Sequence, residues 1–578
     1  MMPDIIVQSD LQSAISLHQS GQLKQAVVVY KKVLETDPEN SDALHLLGLV
    51  FHQSGQLTTA VKLIKRALEV SPNHPDYLFS LANVLRESGQ FEEAVQVYRK
   101  GIEFKPASAE VYNSLGISLH KLNKFQSAIQ AYYSAIRLDS TCGQTYSNLA
   151  MALMKLKNFD KATDVCLKSI ELSPDNVFAY CNLGSIYREQ GKLEEAIQYY
   201  QYAISIQPNM PEIYSNLGQI LEKSGKPNEA ISAYQKALDI DPEYAEIRRN
   251  LSVPFLMLGD FEQGWKEYEW RWQCNDFFKE NGREFPQTMW DNTPLSGRSI
   301  VIWLEQGVGD CIMFASLLCQ LQEQAKQVLV ETESRLLPLF QRSFPGIDFL
   351  LVQNPPHPRL LDPSIDFQSP VASLGQWLLP SEESFPKYCR YLVACPHKTQ
   401  KFRDRFQQQA GEKLLVGISW SSSSWKDGML KSTFLGQWKD LLSQKGCFFV
   451  NLQYGDIQAE IDAFLSRTGI LIYHDEEVDS LQSLDDFASQ VAALDLVISI
   501  DNVTVHMAGA LGKPVWVLLH YSPDWRWQLE RSDTPWYPSM TLYRQPVLGG
   551  WDGVFQQVQP DLQKFVIQNR NTQNIDDA

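Results

Sequence analysis

Apolar positions keep one rhythm through the first half of this chain and another through the second. From about residue 10 to residue 275 the pattern repeats every 34 residues. Gly21, Gly55, Gly89, Gly191, Gly225 and Gly259 fall on the period, with Asn123 and Lys157 in the two intermediate slots. Ala26, Ala60, Ala94, Ala128, Ala162, Ala196 and Ala230 recur in step, and Gly264 continues them. Pro38, Pro72, Pro106, Pro174, Pro208 and Pro242 close the units, with Ser140 in the gap. Each unit reads as two antiparallel helices: glycine allows the tight turn between them, alanine lets them approach closely, and proline stops the second. An α-solenoid is therefore expected over residues 1–275.

A connector at 276–298, rich in proline and glycine around FPQTMWDNTPLSGRS, ends that rhythm. Short apolar runs then alternate with amphipathic stretches. IVIWLEQ (300–306), QVLVET (327–332), IDFLLV (347–352) and the weaker RYLVA (390–394) form one set. LLVGISW (414–420), CFFVNLQY (447–454), ILIYHD (470–475), DLVISID (495–501) and PVWVLL (514–519) form a second. Apolar runs separated by helix-length segments predict parallel sheets with covering helices. The division comes near residue 400, where KTQKFRDRFQQQAGEK reads as a helix leading into the second set. Two Rossmann-like lobes, 299–400 and 401–570, are expected to face each other across a cleft, with a disordered tail at 571–578.

Composition narrows the partners. The 578 residues carry a formal net charge of −17, which excludes general affinity for nucleic acid and for anionic lipid. No apolar stretch approaches the ~20 residues that span a bilayer, and MMPDIIVQSDLQS lacks the pattern of a secretory signal. A cytoplasmic location is expected. The nine cysteines show no CxxC pairs, so reduced thiols and no metal site are expected.

The 34-residue unit, as in PEIYSNLGQILEKSGKPNEAISAYQKALDIDPEY (211–244), resembles the tetratricopeptide repeat. Such solenoids present a concave surface to a peptide or protein. Asn148, Asn182, Asn216 and Asn250 recur at the period, and this array is similar to the asparagine ladder of the protein O-GlcNAc transferases, which implies amides that bind an extended peptide. The alternative is that Asn-Leu-Gly belongs to the repeat and does local structural work. The last unit departs from pattern at GWKEYEWRWQ (264–273), where Trp265, Tyr268, Trp270 and Trp272 suggest a surface that docks a second domain.

Open α/β sheets bind ligands at the carboxyl ends of their strands. In EQGVGDCIMF (305–314), Gly309-Asp310 resembles the glycine-aspartate pair of the bacterial heptosyltransferases, which implies Asp310 as the general base; helix capping is the alternative. In ISWSSSSWKDGMLKS (418–432), the hydroxyls and amides of Ser421 and Ser422 can bind phosphate oxygens, and Lys426 or Lys431 can neutralise a departing diphosphate. Gln453, in NLQYGD, is placed by the resemblance near a nucleotide base. In ISIDNVTVHMAGALGKPVWVLL (498–519), Asp501, Asn502 and His506 are similar to the aspartate-threonine-x-x-x-histidine pattern of the same donor lobe, with Asn502 in the usual threonine position. SPDWRWQLERSDTPWYPSMTLYRQP (522–546) is similar to the tail of bacterial proteins that join tetratricopeptide repeats to such a domain; there Arg526 either reaches donor phosphates or pairs with Asp524.

Together these resemblances imply an α-solenoid followed by a GT-B fold: a metal-independent, inverting glycosyltransferase without a resident cofactor. It would move a sugar from a nucleotide diphosphate sugar, with UDP favoured, to a protein held by the repeats. The competing readings are a transferase acting on a lipid-linked saccharide and a non-catalytic repeat scaffold with a degenerate nucleotide site.

Overall fold

The computed structural model describes residues 2–106, 108–422 and 428–576. The chain divides into two compact units, Met1–Ile213 and Tyr214–Ala578, a division that falls within the repeats.

The first unit is built of paired helices at the 34-residue period, such as Ser41–Gln53 with Leu57–Val70 and Val177–Glu189 with Leu193–Ile206. The periodic residues behave as their chemistry requires. Gly21, Gly55, Gly89 and Gly191 hold φ of 74–77° at the turn inside each pair, a region that costs glycine nothing. Asn123 and Lys157 occupy the same slots at φ 57°. The alanines from Ala26 to Ala196 are all 0% exposed. Glycines on the first helices make room for tyrosines on the second: a methyl on Gly116 would sit 2.4 Å from the Tyr132 ring, and one on Gly184 2.9 Å from that of Tyr200.

The second unit opens with the remaining repeat helices, among them Pro227–Ile240, Ala245–Met257 and Phe261–Tyr268. Two sheets follow. The strands of the first are β1 (Thr288–Met289), β2 (Ser299–Trp303), β3 (Gln327–Thr332), β4 (Asp348–Leu351) and β5 (Phe367–Pro370). Those of the second are β6 (Leu414–Ser419), β7 (Cys447–Asn451), β8 (Leu496–Ile500), β9 (Val515–Leu519) and β10 (Met540–Arg544). Among the described residues each sheet has five strands, ordered β1-β5-β2-β3-β4 and β10-β9-β8-β6-β7, and every pairing is parallel. The central strands β2, β6, β8 and β9 are buried almost throughout, as parallel strands covered on both faces must be.

Two expected strands are absent. RYLVA is a crossover: the N–H groups of Tyr391 and Leu392 both donate to Ala510 O, and the Tyr391 hydroxyl donates to Ile312 O, so this segment ties the two lobes rather than joining a ladder. ILIYHD makes only an isolated bridge, Tyr473 with Val450. The helix ahead of β6 runs Pro396–Ala410, and the final helix, Trp551–Asp576, continues through most of the segment expected to be disordered.

The aromatic last repeat is packed against the first lobe. Trp265 is 1% exposed, and its Nε1 donates to Leu379 O at 2.9 Å. A methyl on Gly375 would lie 2.9 Å from its ring. The neighbouring Arg271 is buried with its guanidinium 3.2 Å from Glu305 at the end of β2 and 2.6 Å from Ser373 Oγ. It is also sandwiched between the rings of Tyr268 and Trp272. Removing the indole by Trp265→Ala leaves a cavity at this seam and is expected to lower the stability of the second unit by about 3–5 kcal/mol, read as a fall in the urea midpoint of its unfolding transition.

Candidate functional site

The two sheets direct their carboxyl ends toward one cluster of charged side chains. β2 leads through Glu305 and Gln306 to Gly307, which precedes the helix Val308–Phe314; Asp310 lies in its first turn. β8 leads to Asp501 and to Asn502, the cap of the helix Val503–Ala510. These two helices meet because Gly309 has no side chain: a methyl there would stand 3.0 Å from His506 Cδ2. The glycine of the Gly309-Asp310 pair thus permits one lobe to rest on the other.

Arg526, on the 3-10 turn Trp525–Trp527, joins the parts. Its Nη1 donates to Asp310 Oδ1 at 2.6 Å, and its Nε donates to Asp524 Oδ1 at 2.9 Å. Nη1 also lies 3.5 Å from His506 Nε2. Because a guanidinium only donates, Nε2 is the acceptor nitrogen, and Nδ1–H then faces the Tyr537 hydroxyl at 2.9 Å. The imidazole stacks on Trp527, with centroids 5.5 Å apart and planes at 25°. Beside them Lys431 Nζ is 2.7 Å from Asp501 Oδ2.

Burial and charge act against each other here. Burial opposes ionisation of Asp501, but the cations of Lys431 and Arg526 outweigh it and hold the carboxyl well below the usual carboxylate range. Asp524 is held low in the same way, burial being overcome chiefly by Arg526. Burial also opposes the charge on Arg526, yet Asp310, Asp524 and Asp501 raise its pKa well above the ordinary arginine value. For His506 the compensation falls short: burial, reinforced by Arg526, outweighs the pull of Asp501 and Asp524 and pushes it down to about 3. The cluster therefore holds three carboxylates, two cations and a neutral imidazole whose lone pair faces the guanidinium.

The other expected contacts have internal duties. Asn502 Oδ1 accepts from Thr504 N at 3.0 Å, while its Nδ2 donates to Ser419 Oγ at 2.8 Å and to Ser421 O at 3.3 Å, stapling the ends of β6 and β8. Gln453 Oε1 accepts from Ser419 Oγ and from the N–H groups of Trp420 and Ser421, all within 2.8–3.0 Å. Ser422 N donates to Ser432 Oγ. Lys426 lies outside the described residues. In the solenoid, Asn182 is 8% exposed and its Nδ2 donates to both Ser147 O and Ser147 Oγ, while Asn148 Nδ2 donates to Asn113 Oδ1. Asn250 Oδ1 accepts from Arg249, and Asn216 is half-buried. The amides of Asn148 and Asn182 thus brace neighbouring first helices, the work of the local structural alternative.

Tyr537 and Trp527, which position the imidazole, lie in the 522–546 stretch, where no local pattern sets them apart from the other aromatic residues. Two cavities adjoin the strand ends. One of 1160 Å³ is lined by Leu304–Gly307, Arg283 and Pro355; the other, of 310 Å³, lies at the end of β7. Among the described residues no group of His, Cys, Asp and Glu side chains is arranged to hold a metal ion, and no helix is long and apolar enough to cross a membrane.

Comparison with known proteins accounts for the repeats. Residues 17–77, 63–96, 82–123, 109–142, 143–176, 165–198, 184–225 and 211–244 match tetratricopeptide repeat families. Protein FlbA of Caulobacter vibrioides is 30% identical over 325 residues, which is 54% of each chain, so this chain spans about half the length of that relative. Among solved structures, YrrB, described as a TPR protein with an unusual peptide-binding site, is 21% identical over 31% of this chain and 92% of its own, with a TM-score of 0.28. PilF of Pseudomonas aeruginosa is 20% identical over 36% of this chain and 95% of its own, with a TM-score of 0.32.

Stability should report the neutral histidine. An unfolded imidazole takes up its proton near pH 6.5, whereas His506 resists until about pH 3, so its contribution is complete above pH ~6.5 and is lost as the pH falls, at up to about 1.4 kcal/mol per unit. Asp501 and Asp524, depressed in the fold, add a further loss only below the ordinary carboxylate range. In urea titrations of His506→Gln the dependence between pH 6.5 and 4 is expected to be shallower than in the wild type. His45, pushed down to about 4 chiefly by burial, leaves the same residual slope in both proteins. Residues 17–244 thus carry tetratricopeptide repeats, and an α/β domain with two parallel sheets follows them.

Proposed function

We propose that the second unit is a GT-B glycosyltransferase that moves a sugar from a nucleotide-activated donor to a protein acceptor selected by the repeats. One observation carries this reading: Asp310 from the first lobe meets Arg526, His506 and the Lys431–Asp501 pair from the second at the carboxyl ends of two parallel sheets. A donor phosphate seated near Lys431 and Arg526 finds two cations in a partly dry site, where leaving-group charge is stabilised most strongly. The acceptor enters from the cavity beside Gly307. Its hydroxyl oxygen bonds to the anomeric carbon, the bond from that carbon to the phosphate oxygen breaks with its electron pair, and the hydroxyl proton passes to Asp310.

The ion pairs set an order. Arg526 already holds Asp310 Oδ1, so an anionic donor that draws the guanidinium toward itself frees that oxygen to act as base. Donor binding first and acceptor second is the expected sequence.

The scaffold reading has its own observation. Both cations are matched by carboxylates within the fold, and the side-chain amides of Asn502 and Gln453 are consumed internally. Thermal-shift measurement with nucleotides, together with turnover of a nucleotide-sugar panel, separates the two. The enzyme reading expects a shift for at least one nucleotide, about 2.7 kcal/mol at a hundredfold excess over Kd, and turnover that falls about 10²-fold or more in Asp310→Asn while nucleotide binding persists. No shift with any nucleotide supports the scaffold, and equal turnover by both proteins removes Asp310 as base.

A further inference from the structure

Gly307 and Gly309 lie two residues apart after β2, and they are glycines for different reasons. At Gly309 the contact with His506 leaves no room for a side chain. Gly307 is under no such constraint. Its φ of −66° and ψ of 166° suit any residue, and it caps the helix Val308–Phe314, a place where serine, threonine, aspartate or asparagine would add a hydrogen bond. A methyl built on it would have one neighbour within 4 Å, Asp310 Oδ2 at 3.7 Å. Arg526 holds Oδ1 of that carboxylate, and Oδ2 meets no partner among the described residues. What glycine provides here is an uncovered side of Asp310, next to the 1160 Å³ cavity that Gly307 lines.

Gln306 lines the same cavity. Its Nε2 donates to the Tyr268 hydroxyl at 3.0 Å, and its backbone oxygen accepts from Cys311 Sγ at 3.3 Å, so side chain and main chain are both held. Tyr268 belongs to the last repeat, where the Trp265 ring meets it edge-on and the Arg271 guanidinium covers it. With one amide N–H spent on Tyr268, Gln306 keeps a second N–H and the Oε1 acceptor, the complement of one peptide group. The half-buried and buried charges of the cavity are already matched: Glu305 by Arg271 and two backbone N–H groups, Arg283 by Glu331 and Gln353 O. Such a lining suits a neutral stretch of chain better than a phosphate, and the cavity exceeds the ~300–1,000 Å³ usual for small ligands.

We infer that Gln306 and Gly307 form the acceptor subsite: Gln306 bonds a peptide group of the acceptor, and Gly307 leaves room for the adjoining side-chain hydroxyl to reach Asp310. The inference rests on the glycosyltransferase reading and makes its acceptor a polypeptide rather than a saccharide. Tyr268 acts through Gln306 and is a positioning residue, by which the last repeat sets the geometry of the subsite.

The test compares three reactions of one donor, whichever the nucleotide-sugar panel shows to turn over: transfer to a pool of serine- and threonine-bearing peptides, transfer to methyl glucoside, and hydrolysis by water. The full chain is used throughout, and a nucleotide thermal shift matching the wild type shows that each variant is folded. Wild type is expected to favour the peptides over the glucoside about tenfold or more. Water is small enough to pass a methyl, so Gly307→Ala is expected to lower peptide transfer relative to hydrolysis about tenfold, whereas Asp310→Asn lowers both together. Gln306→Leu and Tyr268→Phe are expected to raise the peptide KM about threefold or more while kcat stays within about twofold. An unchanged ratio of transfer to hydrolysis in Gly307→Ala, an unchanged peptide KM in Gln306→Leu, or a glucoside used as readily as the peptides overturns the inference and leaves the transferase reading standing. A wild type that turns over no donor removes both.

Discussion

A guanidinium withdrawn from water must be met by carboxylates, and around Arg526 that requirement fixes how the two sheets of the second unit face each other. One partner, Asp524, is local and shapes the turn that carries the arginine; the other, Asp310, belongs to the opposite sheet. Removing one member of such a group leaves an uncompensated charge, which is why buried pairs define geometry more firmly than their net stabilisation suggests. The cost is visible in His506. An imidazole against a buried cation must stay neutral, and its tautomer is then dictated by the donor on one side and Tyr537 on the other.

A second buried arginine sets the other boundary. Arg271 leaves the last repeat and reaches Glu305, whose oxygens also accept from the N–H groups of Val371 and Ala372. The strand end that leads to Asp310 is therefore anchored by the repeats behind it. The solenoid's final helices are packed into the same body as the sheets, and a truncation between them would expose Trp265 and orphan Glu305.

The repeats were legible because each periodic residue answers a local demand: a turn, a close approach or a stop. The long buried strands were legible because parallel sheets leave them no polar face. What escaped is informative. β5 reads FQSP and β10 reads MTLYR, too short or too mixed to stand out, yet β5 lies between β1 and β2. ILIYHD looked like a strand because it is apolar, but pairing depends on what lies beside it. In the site, Gly309 and Asp310 could be picked out only through the resemblance of a short motif; the contact with His506 that leaves no room for a side chain at 309 is visible only in the fold. The pairing of Asp310 with Arg526 spans 216 residues and has no local signature. Likewise Asn502 and Gln453 carry the right chemistry for ligand contacts, and only the fold shows that Ser419 and its neighbours claim it.

The two repeats that lack a turn glycine carry a mechanical consequence. Asn123 and Lys157 sit at φ 57°, where a side chain costs about 1 kcal/mol that glycine does not. In a linear array each repeat leans only on its neighbours, so such a cost is not shared across the whole. It is concentrated in two adjacent links near the middle. Because each slot is the turn inside a pair, the strain loosens the two helices of one repeat from each other and leaves the contact between neighbouring repeats untouched.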